Sequence, residues 1–232
     1  MRKDIQTENR ADIRAENLGE IRPETQADRA YALMFATARQ WLQEKKPEDI
    51  AAAGGAVWDA GISALRLPML GEELCIDWPS CEIRPRPENW QALVLLHYLN
   101  LADGMPASGE RFSFRDMKDG MVRGGKFEFT ADRTLSRILK DRSRGQILDA
   151  CRKLGGTETA GKGDISVQLP FLPHLPVYLS VWLPDEEFPV SGHLYPDRNI
   201  DHCLTIEDAV TAGEIILRRL EQALTLPVPG AG

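Results

Sequence analysis

The chain has no CxxC pair, and its only cysteines are Cys75, Cys81, Cys151 and Cys203. So sparse and irregular a set fits reduced thiols better than a disulfide frame, a zinc finger or a dithiol redox centre. Cys75 and Cys81 could still meet across a hairpin, although their spacing is that of neither a zinc nor a redox motif. Apolar runs near the roughly 20 residues that span a bilayer are missing, and "MRKDIQTENRADIR" lacks the apolar middle of a secretory signal. A cytoplasmic location with no membrane contact is the expectation. A basic surplus is missing as well. The formal charge is -7 and the pI about 5.2, which disfavours broad attraction to nucleic acid or anionic lipid.

Catalytic signatures are equally scarce. The glycine-rich stretches "GGAVWDAG", "GMVRGG" and "GGTETAGKGD" lack the GxxxxGK[ST] and GxGxxG spacings that aim backbone amides at phosphates, and they read as turn and cap glycines. A GxSxG elbow and an HExxH helix are also lacking. His202 and Cys203 are adjacent, so their side chains would diverge in a strand rather than form a dyad.

What is present begins with a repeat of eight: Asp4 to Ala11, Asp12 to Gly19 and Glu20 to Ala27, with Asp28 starting a fourth unit. Acids recur every fourth residue and large apolar residues are few, so residues 1–27 read as a disordered tail. From Asp28 onward Tyr31, Met34, Phe35, Ala38, Trp41 and Leu42 fall at helical spacing, and Pro47 opens a short second helix that Gly54 and Gly55 stop. "ISALRLPML" and "EELCIDWP" read as a hairpin turning at Gly71, with Pro68 near an edge or bulge.

Trp90, Leu93, Val94, Leu96, His97 and Leu101 wrap most of a circumference, which marks the central buried helix, with His97 as a hydrogen-bonded core residue. "GERFSFRDM" alternates at strand period, placing Phe112 and Phe114 on one face and Arg111, Ser113 and Arg115 on the other. One or two helices are expected from about Leu135 to Leu154. A strand pair, "DISVQLPF" and "LPVYLSVWLP", follows. A closing helix runs from about Ile206 to Leu224, with Thr205 as N-cap and Glu207 and Asp208 at its positive end. Residues 227–232 read as a loose tail. Strand pairs separated by helices without regular alternation predict one α+β domain over 28–226, with antiparallel strand pairs packed with helices around one core.

The stretch "VWLPDEEFP" gathers three carboxylates on one turn. Pro184 interrupts the ladder and Phe188 is expected to re-enter the core. At least one of Asp185, Glu186 and Glu187 should turn inward to meet Arg115 or cap backbone amides, and at least one should stay solvated for a ligand or partner; Arg115 itself reads as the ion-pair partner of one of these acids or as a grip on an anionic ligand. Downstream lie His193, Asp197, Asp201 and His202. Carboxylates with neutral imidazoles can hold a divalent ion, so His193, His202 and Asp197 form a speculative metal set beside the acidic turn.

The segments "LVLLHYLNLADGMPASGERFSFRD", "GDISVQLPFLPHLPVYLSVWLPDEEFP" and "HLYPDRNIDHCLTIEDAV" together resemble a prokaryotic family common in anaerobes, catalogued as domain of unknown function thirty-seven eighty-six, over roughly Tyr31 to Leu220. The family's W-x-G-D-E-E-F-P stands here with Pro184 in place of its glycine. Some similar proteins are fused to a four-cysteine iron–sulfur module, so the resemblance implies an iron–sulfur or corrinoid protein partner. This chain lacks such a module. Together these readings favour an accessory or ligand-binding domain over a metal-dependent enzyme using residues 185–187 with His193 and His202. A purely structural interaction protein ranks third.

Overall fold

The computed structural model describes residues 26–225. Both expected tails lie outside these residues, apart from Gln26 and Ala27, with which the first helix begins.

Helices α1 (Gln26–Gln43) and α2 (Pro47–Gly54) precede a four-stranded antiparallel meander: β1 (Val57–Asp59), β2 (Ala64–Met69), β3 (Glu72–Asp77) and β4 (Ile83–Arg84). Leu70 and Gly71 form the two-residue turn between β2 and β3, both at positive φ, which is the backbone a tight hairpin needs. Pro68 pairs with Glu73 beyond the reach of β1, whose register ends at Arg66, so its missing N–H faces no neighbouring strand. Cys75 and Cys81 are both free thiols.

Helix α3 (Asn89–Leu101) is the central helix that its all-round apolar sequence predicts: Val94, Leu95, Leu96, Tyr98 and Leu99 are fully buried. The next stretch departs from the expected strand. Arg111 makes a single bridge to Asp197, and Phe114–Asp116 is a 3-10 turn. Phe114 drops into the core, its ring 4.7 Å from that of Phe127, while Phe112 stays at the surface beneath the Arg198 guanidinium. The two phenylalanines therefore do not share a face.

Helix α4 (Gly120–Ile138) starts inside the glycine-rich stretch that reads as turn, well before Leu135, and α5 (Arg144–Lys153) follows separately. The glycines serve contact rather than turning. A Cβ on Gly124 would stand 2.1 Å from the Phe114 carbonyl oxygen, so only glycine lets the helix sit on that turn.

A second antiparallel meander comprises β5 (Thr157–Glu158), β6 (Ile165–Leu172), β7 (Leu175–Trp182) and β8 (Ser191–Pro196); β6 and β7 are the expected pair, and β8 was not expected. Helix α6 (Ile206–Thr225) closes the fold, with the backbone N–H of Asp208 donating to Thr205 Oγ1. The architecture is α+β, and α6 packs on the core against α3, α4 and α5.

The second sheet has two unlike faces. Ile165, Val167 and Leu169 on β6 and Val177, Leu179 and Val181 on β7 look into the core, whereas Ser166, Tyr178 and Ser180 look the other way. Ser180 sits opposite both Ser166 and His193, and Tyr178 opposite Tyr195, so one polar face runs across three strands.

Candidate functional site

The polar face is partly covered. The segment from Ser108 to Ser113 crosses it, held by Asp197, which is fully buried at the end of β8. The Asp197 carboxylate accepts from the Ser108 and Gly109 N–H groups and the Ser108 hydroxyl, all at 2.8 Å. It also accepts from Asn199 N–H at 3.1 Å and the Tyr178 hydroxyl at 3.1 Å. Burial alone would raise its pKa, but these bonds outweigh it and hold the carboxyl below the usual range. Burial, with Asp197 beside it, pushes the Tyr178 hydroxyl up to about 12.

Thus anchored, the segment lays Arg111 over the sheet. Its guanidinium carbon stands 4.9 Å from the Tyr178 ring centroid, and one terminal nitrogen donates to Ala160 O at 2.8 Å and Ser166 Oγ at 2.7 Å. Gly161 permits this approach, since a Cβ there would lie 2.2 Å from that nitrogen.

A cleft of about 450 Å³ opens beside Arg111, bounded by Ser113 from the crossing segment, Asp116 from the 3-10 turn after it, Lys162 from the β5–β6 loop, and Ser180 and Tyr195 from the sheet. Two of these residues carry buried polar atoms without a protein partner: Ser180 Oγ and Arg111 Nε. Ser180 has no solvent exposure at all. Orphaned buried polar atoms are uncommon and costly, at about 1–3 kcal/mol each, and here two of them stand in the wall of one cleft. The lining carries two cations, Arg111 and Lys162, and the carboxylate of Asp116, while Glu128, bonded to Ser113, and Asp132 act on Tyr195 from the other side. The loop bearing Lys162 runs into β6 rather than into a helix. The arrangement suits a small molecule carrying a carboxylate or phosphate.

The residues singled out from sequence fall elsewhere. Arg115 is exposed; its backbone N–H donates to Ser113 Oγ at 3.1 Å, and Ser113 in turn donates to Glu128 at 2.7 Å. Among the described residues no ion pair joins Arg115 to Asp185, Glu186 or Glu187. In that turn Asp185 Oδ1 accepts from the N–H groups of Phe188 at 2.7 Å and Glu187 at 2.9 Å, and these bonds lower its pKa. Glu186 and Glu187 are exposed. Phe188 is 66% exposed and does not re-enter the core; Val190 does.

The three metal candidates do not meet. His193 Nδ1 lies 2.6 Å from Asp132 Oδ1, and His202 Nδ1 lies 2.8 Å from Asp103 Oδ2, whose pKa the bond lowers. Asp197 is occupied as described. Among the described residues no group of three or more His, Cys, Asp or Glu side chains is placed to hold one ion. His97 is satisfied within the fold, with Nδ1 2.8 Å from Asp208 Oδ1.

Sequence reasoning missed Arg111, Lys162, Ser180 and Tyr195 as a group. One signal was legible: a serine amid "VYLSVW" in a strand buried on both faces. The others come from distant segments that only the fold brings together.

No helix among the described residues is long and apolar enough to cross a membrane. Comparison with curated proteins and with solved structures found no match. The family described as Domain of unknown function (DUF3786) matches residues 46–219, from α2 through most of α6 and including every residue of the cleft, and the chain belongs to that family.

Proposed function

We propose that the protein is an accessory domain that binds a small anionic molecule, bearing a carboxylate or phosphate, in the cleft beside Arg111. The observation that carries the reading is the pair of buried, unpartnered polar atoms, Ser180 Oγ and Arg111 Nε, on two residues of one cleft. Arg111 Nε and Lys162 supply charge, and the Ser180 and Tyr195 hydroxyls supply direction.

The test is calorimetric titration and thermal-shift measurement with inorganic phosphate, succinate and citrate against chloride at matched ionic strength. At least one of the three should bind and raise the unfolding midpoint, and Lys162→Ala should weaken it by about tenfold, the loss of one charge-assisted bond. Ser180→Ala should weaken it while leaving the free protein as stable as before. Anions that do no better than chloride, or that bind equally to both variants, overturn the reading.

The partner that the sequence resemblance implies, a corrinoid or iron–sulfur protein, belongs to the same proposal. The turn at Asp185, Glu186 and Glu187 supports it by offering two free carboxylates beside the exposed Phe188 ring.

A further inference from the structure

Helix α4 presents apolar side chains to solvent, as α1 does with Leu33, Met34 and Trp41. Val122 is 81% exposed, Met121 73% and Phe129 65%. Val122, Gly125 and Phe129 recur at spacings of three and four residues, so they form one seam along the helix. Lys126 and Arg133, seven residues apart, flank the seam on one side. The Arg133 guanidinium carbon lies 5.7 Å from the Phe129 ring centroid, and Arg115 lies against Gly125 on the other side, its Cδ 3.7 Å from where a Cβ would stand.

The carboxylates of the helix, Glu128 and Asp132, are both engaged, by Ser113 and by His193. Among the described residues the side chains of Arg115, Lys126 and Arg133 are in no ion pair, although the Arg115 backbone N–H reaches Glu128 Oε1 at 3.4 Å. The outward face is therefore apolar along its middle, with Lys126 and Arg133 along one flank and Arg115, beside the engaged Glu128 and Asp132, on the other.

We propose that this face docks an acidic amphipathic helix of a partner protein. The apolar side of that helix would cover Val122, Gly125 and Phe129, and its glutamates or aspartates would meet Arg115, Lys126 and Arg133. The spacing is that of helix-to-helix seams, in which apolar residues meet at the centre and charges at the flanks choose the partner. Clustered exposed apolar side chains of this size mark interaction surfaces. The charge is complementary to an acidic partner and repels a basic one.

The probe is a three-heptad synthetic helix with Leu at the a and d positions and Glu at e and g, fluorescein-labelled and read by anisotropy; its glutamates keep it from pairing with itself. A second peptide carries Lys in place of Glu. The first should bind the full chain, more weakly as salt rises, and the second should not. Phe129→Ser and the pair Lys126→Glu with Arg133→Glu, each checked for native circular dichroism, should each raise the Kd at least about tenfold. Peptide binding that is absent, or equal in the wild type and both variants, overturns the proposal. So does Phe129-dependent capture by phosphatidylserine vesicles without peptide binding, which would make the face a membrane contact. Concentration-dependent dimerisation abolished by Phe129→Ser, again without peptide binding, would reassign the face to a second copy of the chain.

Discussion

One oxygen of Asp197 receives both the backbone N–H and the hydroxyl of Ser108, each at 2.8 Å. This clamp fastens a loop to the end of β8, and the loop carries Arg111 onto the polar face of the second sheet. An acid that reads from sequence as a metal ligand is instead the anchor of the cleft wall.

All five groups that face the Asp197 carboxylate present a hydrogen. Asp197→Asn would set an amide NH₂ against these donors, and the expected cost is about 2–4 kcal/mol, read by urea denaturation. The sign with pH follows from the lowered pKa of the folded state. The contribution is full above the ordinary carboxylate range and is lost as pH falls through the folded value, so the gap between wild type and variant should narrow in acid. A gap independent of pH would refute the ionised anchor.

Neighbouring glycines in α4 should respond with opposite signs to one substitution. Gly124→Ala forces a methyl to within 2.1 Å of the Phe114 carbonyl oxygen and should destabilise by about 2–3 kcal/mol. Gly125→Ala meets nothing nearer than Arg115 Cδ at 3.7 Å, and the gain in helix propensity should stabilise by about 0.5–1 kcal/mol. Thermal and denaturant midpoints of the two variants test the pair.

Thiol labelling should separate one cysteine from three. Burial pushes Cys81 up to about 11 and Cys151 and Cys203 up to about 12, whereas Cys75 is half-buried on β3. Native protein at pH 8 should give a fast reaction with a thiol reagent at Cys75 alone, and all four cysteines should react in denaturant. Fast native labelling of Cys151 would show that α5 opens readily.

Double-mutant cycles pairing Arg115→Met with Asp185→Asn, Glu186→Gln and Glu187→Gln should be additive within error, because no contact joins the two sites. Asp185→Asn alone should loosen the turn, since Asp185 accepts the N–H groups of Glu187 and Phe188. Hydrogen exchange at those two amides provides the measurement. Coupling between Arg115 and any of the three acids would show that the turn folds back onto α4.

Wherever short-range pattern and burial agreed, the sequence was sufficient. A helix apolar all round its circumference has nowhere to go but the centre, as α3 does. Gly71 sets the β2–β3 hairpin, because few residues besides glycine accept its backbone angle. Thr205, Glu207 and Asp208 announce the start of α6 through the needs of free N–H groups. The fold class followed from these elements.

Tertiary contacts decided the rest. The alternation over Arg111 to Arg115 has the period of a strand, yet Phe114 gains more by leaving that line to pack on Phe127, and a 3-10 turn is the backbone that lets it. The "GMVRGG" run looks like a breaker because its glycines weaken an isolated helix by about 1 kcal/mol each. Packed on the Phe114 turn, Gly120 and Gly124 are what allow α4 to form there, each Cβ position lying within 2.3 Å of the Phe114 carbonyl oxygen. The cleft lay furthest from sequence. Arg111, Lys162, Ser180 and Tyr195 share no spacing, because they sit on different segments that meet only when the second sheet pairs and Asp197 ties the crossing loop across it. Hydrophobic periodicity reports which face of an element is buried. It cannot report which distant polar residue will be buried opposite it, and for this protein that pairing built the site.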